Sequence, residues 1–158
     1  MRKSAIFIFL VLAALLQVSV LDYLKAFGVK PDLLLVSVFW FSLIFQQKEA
    51  VFFSASAGIL KDIFNPYSFG INTLLFTFCS LFLIRLGKEI SLDSSPVRFI
   101  VFCIVSFCNT AATRFIFFFL GNIAPLHVFL RVAFPGSLYT ALTALLVFRI
   151  IPLSERTA

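Results

Sequence analysis

The residues best suited to polar chemistry are the adjacent Lys61 and Asp62, which stand in a strongly apolar segment. A charge at the centre of a bilayer costs about 2.5–3.5 kcal/mol on insertion scales, so this pair needs a membrane surface or polar partners. Proline moves Asn65 out of the helical region before Pro66, and Gly70 permits a sharp turn before the next apolar run. The stretch therefore predicts a helical hairpin corner with one acid near it.

Other side chains give little sign of catalysis or metal binding. His127 is the only histidine, and no acid or cysteine stands near it at metal-ligand spacing. Asp22 and Asp32 flank predicted loops and form no convincing pair of catalytic carboxylates. Three cysteines lie inside apolar runs, where lipid would surround them and they act as small hydrophobes rather than a disulfide framework or a metal site: Cys79, Cys103 and Cys108. We expect no enzyme, no cofactor and no metal site.

Composition indicates a membrane protein. The chain has 158 residues, of which 61% are hydrophobic and 13% charged, and its mean hydropathy is +1.09. A chain of this length cannot hide so much apolar surface in a water-soluble core, so lipid must cover it. The net charge of +6 comes from scattered Lys and Arg without a nucleic-acid motif, which favours anchors at lipid headgroups. We expect one domain over residues 1–158.

The apolar runs predict an all-α bundle of about six transmembrane helices. The second run is short, with 15 uncharged residues between Asp32 and Lys48, so five spans remain an alternative in which it is re-entrant or tilted. Pro31 suits the first turn of its helix. The predicted spans are Ser4–Leu21, Pro31 or Asp32 to Phe45, Gln46 or Gln47 to Phe64, Gly70–Leu86, Val97–Leu120 and Val132–Ile151.

The distribution of basic residues favours six spans with both termini in the cytoplasm. Under that topology eight Lys and Arg lie inside and four outside, as the positive-inside rule requires. The inner ones are Arg2, Lys3, Lys48, Arg85, Lys88, Arg98, Arg149 and Arg156. The outer ones are Lys25, Lys30, Lys61 and Arg131, with Arg114 inside the fifth span.

Small residues recur every four positions in the third span, which places Ala50, Ser54, Gly58 and Asp62 on one helix face. Small faces allow helix backbones to approach closely in lipid. They indicate either packing inside the bundle or a surface for another membrane protein. The sixth span repeats the pattern in two rows: Gly136, Thr140 and Ala144, and Ala133, Ser137 and Ala141.

The acid at the corner should require a compensating partner. The C-terminus of a helix carries partial negative charge, so the end of the third span disfavours Asp62. Its candidate partners are Lys61, backbone amides of the turn up to Gly70, Arg114 of the fifth span, or a cation of another protein. Arg114 is expected either to reach the outer interface by snorkelling or to make a polar contact with Asp62, because both lie toward the outer half.

The segments PDLLLV (31–36) and AGILKDIFNPYSFGINTL (57–74) resemble the rod shape-determining protein family MreD. The ending LYTALTALLVFRIIP (138–152) and the overall size are also similar to that family. Its Gly-x-x-x-Asp pattern, followed by a turn and a glycine, corresponds here to Gly58, Asp62 and Gly70, and Pro31 and Asp32 match the earlier motif. Lys61 and the twenty-three phenylalanines depart from the family pattern.

This resemblance implies a non-enzymatic scaffold of the inner membrane in the bacterial elongation complex. Such a scaffold binds the single-span protein MreC, and through it MreB, the RodA glycosyltransferase and a class B penicillin-binding protein. A six-span bundle is also similar to the substrate-binding S components of vitamin transporters, so a small-ligand binding subunit is the alternative. The candidate residues for structure or partner contact are Pro31, Asp32, Ser54, Gly58, Asp62, Gly70 and Arg114.

Overall fold

A computed structural model describes residues 3–19, 31–64, 70–90, 94–119 and 126–150. Within these residues the chain is all-α, with six helices and no strand. The helices are α1 (Lys3–Ser19), α2 (Leu33–Ile44), α3 (Gln47–Ile63), α4 (Ile71–Glu89), α5 (Ser95–Phe119) and α6 (Leu126–Ile150).

The shortest helix, α2, is the centre of the structure. Its 12 residues correspond to a length of about 18 Å, and every residue from Leu34 to Leu43 is buried. The helix LLLVSVFWFSLI has no polar face, as expected of a helix surrounded mainly by other helices. It packs against α1, α3, α4 and α6.

The outer helices pack in pairs around α2. Helix α3 makes its most extensive contact with α4, and α5 with α6. Aromatic and hydroxyl contacts join these pairs to the centre. The ring of Phe39 on α2 meets Phe102 on α5 edge-to-face, with centroids 4.7 Å apart, and the hydroxyls of Ser42 and Ser80 lie 2.9 Å apart between α2 and α4.

The surface of the bundle is rich in large apolar side chains. Every helix except α2 exposes several of them, including Phe78 at 67% and Phe82 at 54% on α4, and Ile104 at 55% on α5. Among the described residues, two segments are long and apolar enough to cross a membrane, Ile71–Glu89 and Pro96–Phe119. Only 28% and 22% of their most apolar windows are buried within the bundle.

The expected six helices are confirmed, and most of their ends lie within three residues of the predicted bounds. Helix α6 begins at Leu126 rather than Val132. Pro31 and Asp32 precede α2 instead of forming its first turn, because the Asp32 side chain serves as the N-cap. The predicted loop 22–30 and the C-terminal residues lie outside the described residues, as does the side chain of His127.

Candidate functional site at the polar end of the bundle

The carboxylate of Asp62 caps the helix that follows its own. It is 2% exposed, and its Oδ1 accepts hydrogen bonds from the amide of Asn72 at 3.2 Å and from its side-chain Nδ2 at 2.8 Å. Its Oδ2 accepts from the amides of Gly70 at 3.0 Å and Thr73 at 3.0 Å, and from the Thr73 hydroxyl at 2.7 Å. The acid at the end of α3 thus binds the unpaired donors at the start of α4.

This arrangement resolves the electrostatic problem predicted for Asp62. The first N–H groups of α4 have no partner within their own helix and carry partial positive charge. The residue in the capping position is Gly70, which has no side chain to supply an acceptor. Asp62 supplies it from the neighbouring helix, and the positive end of α4 offsets the negative end of α3.

Gly70 is needed for a different reason. Its φ is +86°, in the left-handed region that L side chains rarely adopt. This conformation turns the chain into α4 and presents the Gly70 amide to Asp62. The turn predicted at this glycine is therefore confirmed.

Gly58 lets α3 and α4 approach closely one turn before the cap. A Cβ atom added at Gly58 would lie 2.4 Å from the Cα of Thr73 and 2.9 Å from the carbonyl oxygen of Asn72. Backbone atoms cannot move aside as a flexible side chain can. The small face of Ala50, Ser54, Gly58 and Asp62 is buried against neighbouring helices, so it serves packing within the chain.

A second network surrounds Asp32 at the same end of the bundle. Lys61 forms a short ion pair with Oδ2 of Asp32, and its Nζ lies 4.8 Å from the ring centroid of Phe76. The two charged side chains are 22% and 18% exposed. Lys61 had been expected to reach the membrane surface or to balance Asp62; instead it turns inward and joins α3 to the start of α2.

Asp32 also gathers α1 and α6. Its Oδ1 accepts from the amide of Leu35 at 3.1 Å and from Nε2 of Gln17 at 3.2 Å. The Gln17 side chain in turn accepts from the amide of Leu34 at 3.1 Å, and the Asp32 amide donates to the Thr140 hydroxyl at 3.2 Å. We name Gln17, Asp32, Lys61 and Thr140 the four-helix cluster, because they come from α1, the start of α2, α3 and α6.

The structure does not form the expected contact between Arg114 and Asp62. Arg114 is exposed on α5, and no hydrogen bond or ion pair joins it to Asp62 within the described residues. The main contacts of α5 are with α6 and α4, whereas Asp62 faces the start of α4. The helix end supplies the positive charge that had been assigned to Arg114.

Sequence reasoning found some members of these networks and missed others. Asp32, Gly58, Asp62 and Gly70 come together with partners at the polar end, and Pro31 is buried beside them. The missed residues are Gln17, Asn72 and Thr73, although each had a signal. Gln17 is the single amide of the first apolar run, and Asn72 and Thr73 are polar residues directly after the glycine that begins α4.

Chemically, the site is a set of donors and acceptors that bind one another. Both carboxylates accept from helix N-termini, and the lysine is held by a carboxylate and an aromatic face. No group of three or more metal-ligating side chains occurs in the part of the chain that the structure describes. No protein-family model, curated protein or solved structure matches the chain.

Proposed function

We propose that this chain is a multi-pass protein of a bacterial inner membrane and acts as a non-enzymatic scaffold. The observation that carries the proposal is the large apolar surface of the outer helices. Asp62 is buried on helix ends, while phenylalanines of α4 and α5 lie on the surface. A bundle in water would expose its charges and cover its rings, so acyl chains are the solvent that suits this surface.

The role of the polar end supports a scaffold rather than a reactive centre. Its charged groups fix the ends of α2, α3 and α4 to one another. Groups engaged in this way hold a shape, and a rigid surface is what a membrane partner needs for specific helix packing. We infer that the bundle binds its partner through the lipid-exposed faces of its outer helices.

The resemblance to MreD gives the partner a class. Asp32, Gly58, Asp62 and Gly70, which carry that resemblance, all have defined packing or capping roles at the polar end. On this reading the partner is the single-span protein MreC, which connects the bundle to MreB, RodA and a class B penicillin-binding protein. Both termini lie in the cytoplasm, and the polar end lies at the outer surface.

The test is copurification from membranes of a rod-shaped bacterium that encodes the protein. A tagged chain, solubilised in mild detergent, should retain MreC, and depletion of the chain should turn the rods into spheres. A triple variant tests one face of the bundle: Phe115→Leu, Phe118→Leu and Phe119→Leu keep the exposed end of α5 apolar but remove its exposed rings. Loss of MreC from this variant alone would place the contact on that face.

Absence of MreC from the purified wild-type chain, with rods unchanged after depletion, would contradict the scaffold. Saturable binding of a vitamin to the purified protein would instead support the transport-subunit alternative. These outcomes are separable because association and vitamin binding are measured on the same preparation.

A further inference from the structure

An apolar groove opens between α1 and α6, with α2 as its floor. Its cavity is about 340 Å³. The wall from α1 consists of Phe9, Ala13 and Leu16, the floor includes Leu33 and Trp40, and Val147 closes the side formed by α6. The Ser37 hydroxyl at the floor donates to the carbonyl of Leu33. The indole N–H of Trp40 has no hydrogen-bond partner among the described residues, but it is buried and does not face the groove.

The dimensions of the groove define what can occupy it. Leu33 and Trp40 are seven residues apart, as are Phe9 and Leu16, so the groove runs about 10 Å along two helices. A helix with its side chains is about 10–12 Å across, so 10 Å of it fills roughly 800 Å³. That volume exceeds the cavity more than twofold, so a helix could lie only over the opening of the groove. A single hydrocarbon chain is narrower and can lie inside it.

The position of the groove agrees with such an occupant. Its upper end, at Leu16 and Leu33, is adjacent in sequence to Gln17 and Asp32 of the four-helix cluster. From this polar level it descends for about 10 Å, which lies within one leaflet of a hydrocarbon core about 30 Å thick. Because α1 and α2 form its length, it runs in the direction that acyl chains take.

We propose that the groove binds one acyl chain of a phospholipid from the leaflet at the polar end of the bundle. The acyl chain takes the place of a helix beside α2 on this side, because unfilled space beside a packed core loses dispersion contacts. The proposal rests on the membrane location proposed above. It adds a specific lipid site on the central helix to a surface that is otherwise covered by lipid of no fixed position.

Trp40 is a built-in probe of this site, because it is the only tryptophan of the protein and lines the groove. The full-length protein is reconstituted into phosphatidylcholine vesicles whose acyl chains carry bromine atoms at one chosen depth. Bromine quenches indole fluorescence at near contact. Trp40 is only 7% exposed, so lipid outside the groove has little contact with it. We expect strong quenching because an acyl chain reaches Trp40 through the groove. The quenching should be greatest for bromines near the middle of the acyl chain.

Two variants fill the groove and one provides the control. Val147→Phe narrows it from α6, and Ala13→Leu narrows it from α1. We expect each to remove about half or more of the quenching, because a larger side chain displaces an equal volume of lipid. Leu142→Phe is the matched control, since Leu142 is on α6 but 53% exposed and outside the groove; its quenching should equal that of the unmodified protein.

Insertion is checked separately by resistance to extraction at alkaline pH. A protein that fails to insert would refute the membrane location and this proposal with it. An inserted protein whose Trp40 is not quenched would refute the groove proposal alone, because the groove would then be closed or occupied by another molecule. Equal quenching in Val147→Phe, Ala13→Leu and the unmodified protein would also refute it, because the bromines would then reach Trp40 by another path.

Discussion

At the scale of single residues, the two aspartates of the polar end each connect one helix to the start of another. Asp62 ends α3 and caps α4, while Asp32 caps α2 and receives Lys61 from α3. A carboxylate suits both positions because it accepts several hydrogen bonds and carries the charge that a helix N-terminus favours. The charge and the acceptor atoms therefore act together.

Replacing Asp62 by Asn tests the cap. The amide keeps one acceptor oxygen but places an NH₂ group against backbone donors, so buried N–H groups of α4 lose their partner. We expect the free energy of unfolding to fall by about 2–4 kcal/mol, measured by denaturant titration in detergent. Glu89→Gln is the control, because Glu89 is an exposed acid at the other end of α4. Equal stability of the two variants would contradict the capping role.

Exchanging Asp32 and Lys61 tests whether their attraction alone is sufficient. The pair Asp32→Lys and Lys61→Asp keeps opposite charges, but a lysine cannot accept from the Leu35 amide and brings positive charge to a helix N-terminus. We expect Lys61→Met alone to lower the free energy of unfolding by about 2–3 kcal/mol. This is less than the loss expected when a fully buried ion pair is broken, because about a fifth of each side chain is exposed.

We expect the exchanged protein to be no more stable than the weaker single variant in the same unfolding measurement. Restoration of stability by the exchange would show that the ion pair outweighs the cap. Lys48→Glu, at an exposed lysine near the start of α3, controls for a change of charge on that helix.

The sequence identified the important aspartates but not their partners. The position of Asn65-Pro66 predicted that the negative C-terminus of the third helix would disfavour Asp62. Backbone amides were among the predicted partners of its carboxylate. The actual donors depend on how the turn folds back, which residue spacing does not specify. The sequence missed the partner of Lys61, because a lysine near a helix end is ordinarily expected to reach toward headgroups and Asp32 is 29 residues away.

At the scale of helices, α3 and α4 form a hairpin whose closeness depends on one glycine. The Gly58 backbone meets the backbone of Asn72 and Thr73 directly. The same two residues donate to Asp62, so close packing and capping fix the same register. A small shift between the helices would disturb both.

Gly58→Ala therefore tests the hairpin. The added methyl group would overlap the Thr73 backbone, and the helices must separate to admit it. We expect a loss of about 1–3 kcal/mol in the free energy of unfolding, with weakened hydrogen bonds to Asp62 seen as faster amide hydrogen exchange at Asn72 and Thr73. Ser56→Ala on the same helix should change neither quantity, because Ser56 bonds only to the Phe52 carbonyl of its own helix. Slow exchange retained in Gly58→Ala would contradict this account.

Hydrophobic runs and turn residues were sufficient to predict six helices and most of their bounds. They could not predict that the shortest run, around Val36 and Phe39, would be the centre. A continuous apolar segment is compatible with lipid on all sides or protein on all sides. Which applies to α2 depends on the four helices that pack around it.

At the scale of the whole molecule, the proposed membrane location makes a prediction about the cysteines. Cys108 is exposed on α5, 13 residues and about 20 Å from the start of that helix at Ser95. A thiol at that depth meets acyl chains, which a charged reagent cannot enter.

We expect Cys108 to remain unlabelled by a charged maleimide in intact or opened vesicles and to react after denaturation. An introduced Lys48→Cys, at an exposed position near the start of α3, should react once the membrane side facing it is accessible. Rapid labelling of Cys108 in opened vesicles would contradict the membrane location.

The short central helix has a consequence for how the protein is made. At about 18 Å, α2 covers little more than half of a hydrocarbon core about 30 Å thick, so it gains little from remaining alone in lipid. The Asp32 amide at its start meets the Thr140 hydroxyl, 108 residues later in the chain. During synthesis α2 therefore emerges long before its surroundings exist, and in the proposed membrane location its final place is secured only when α6 has followed it.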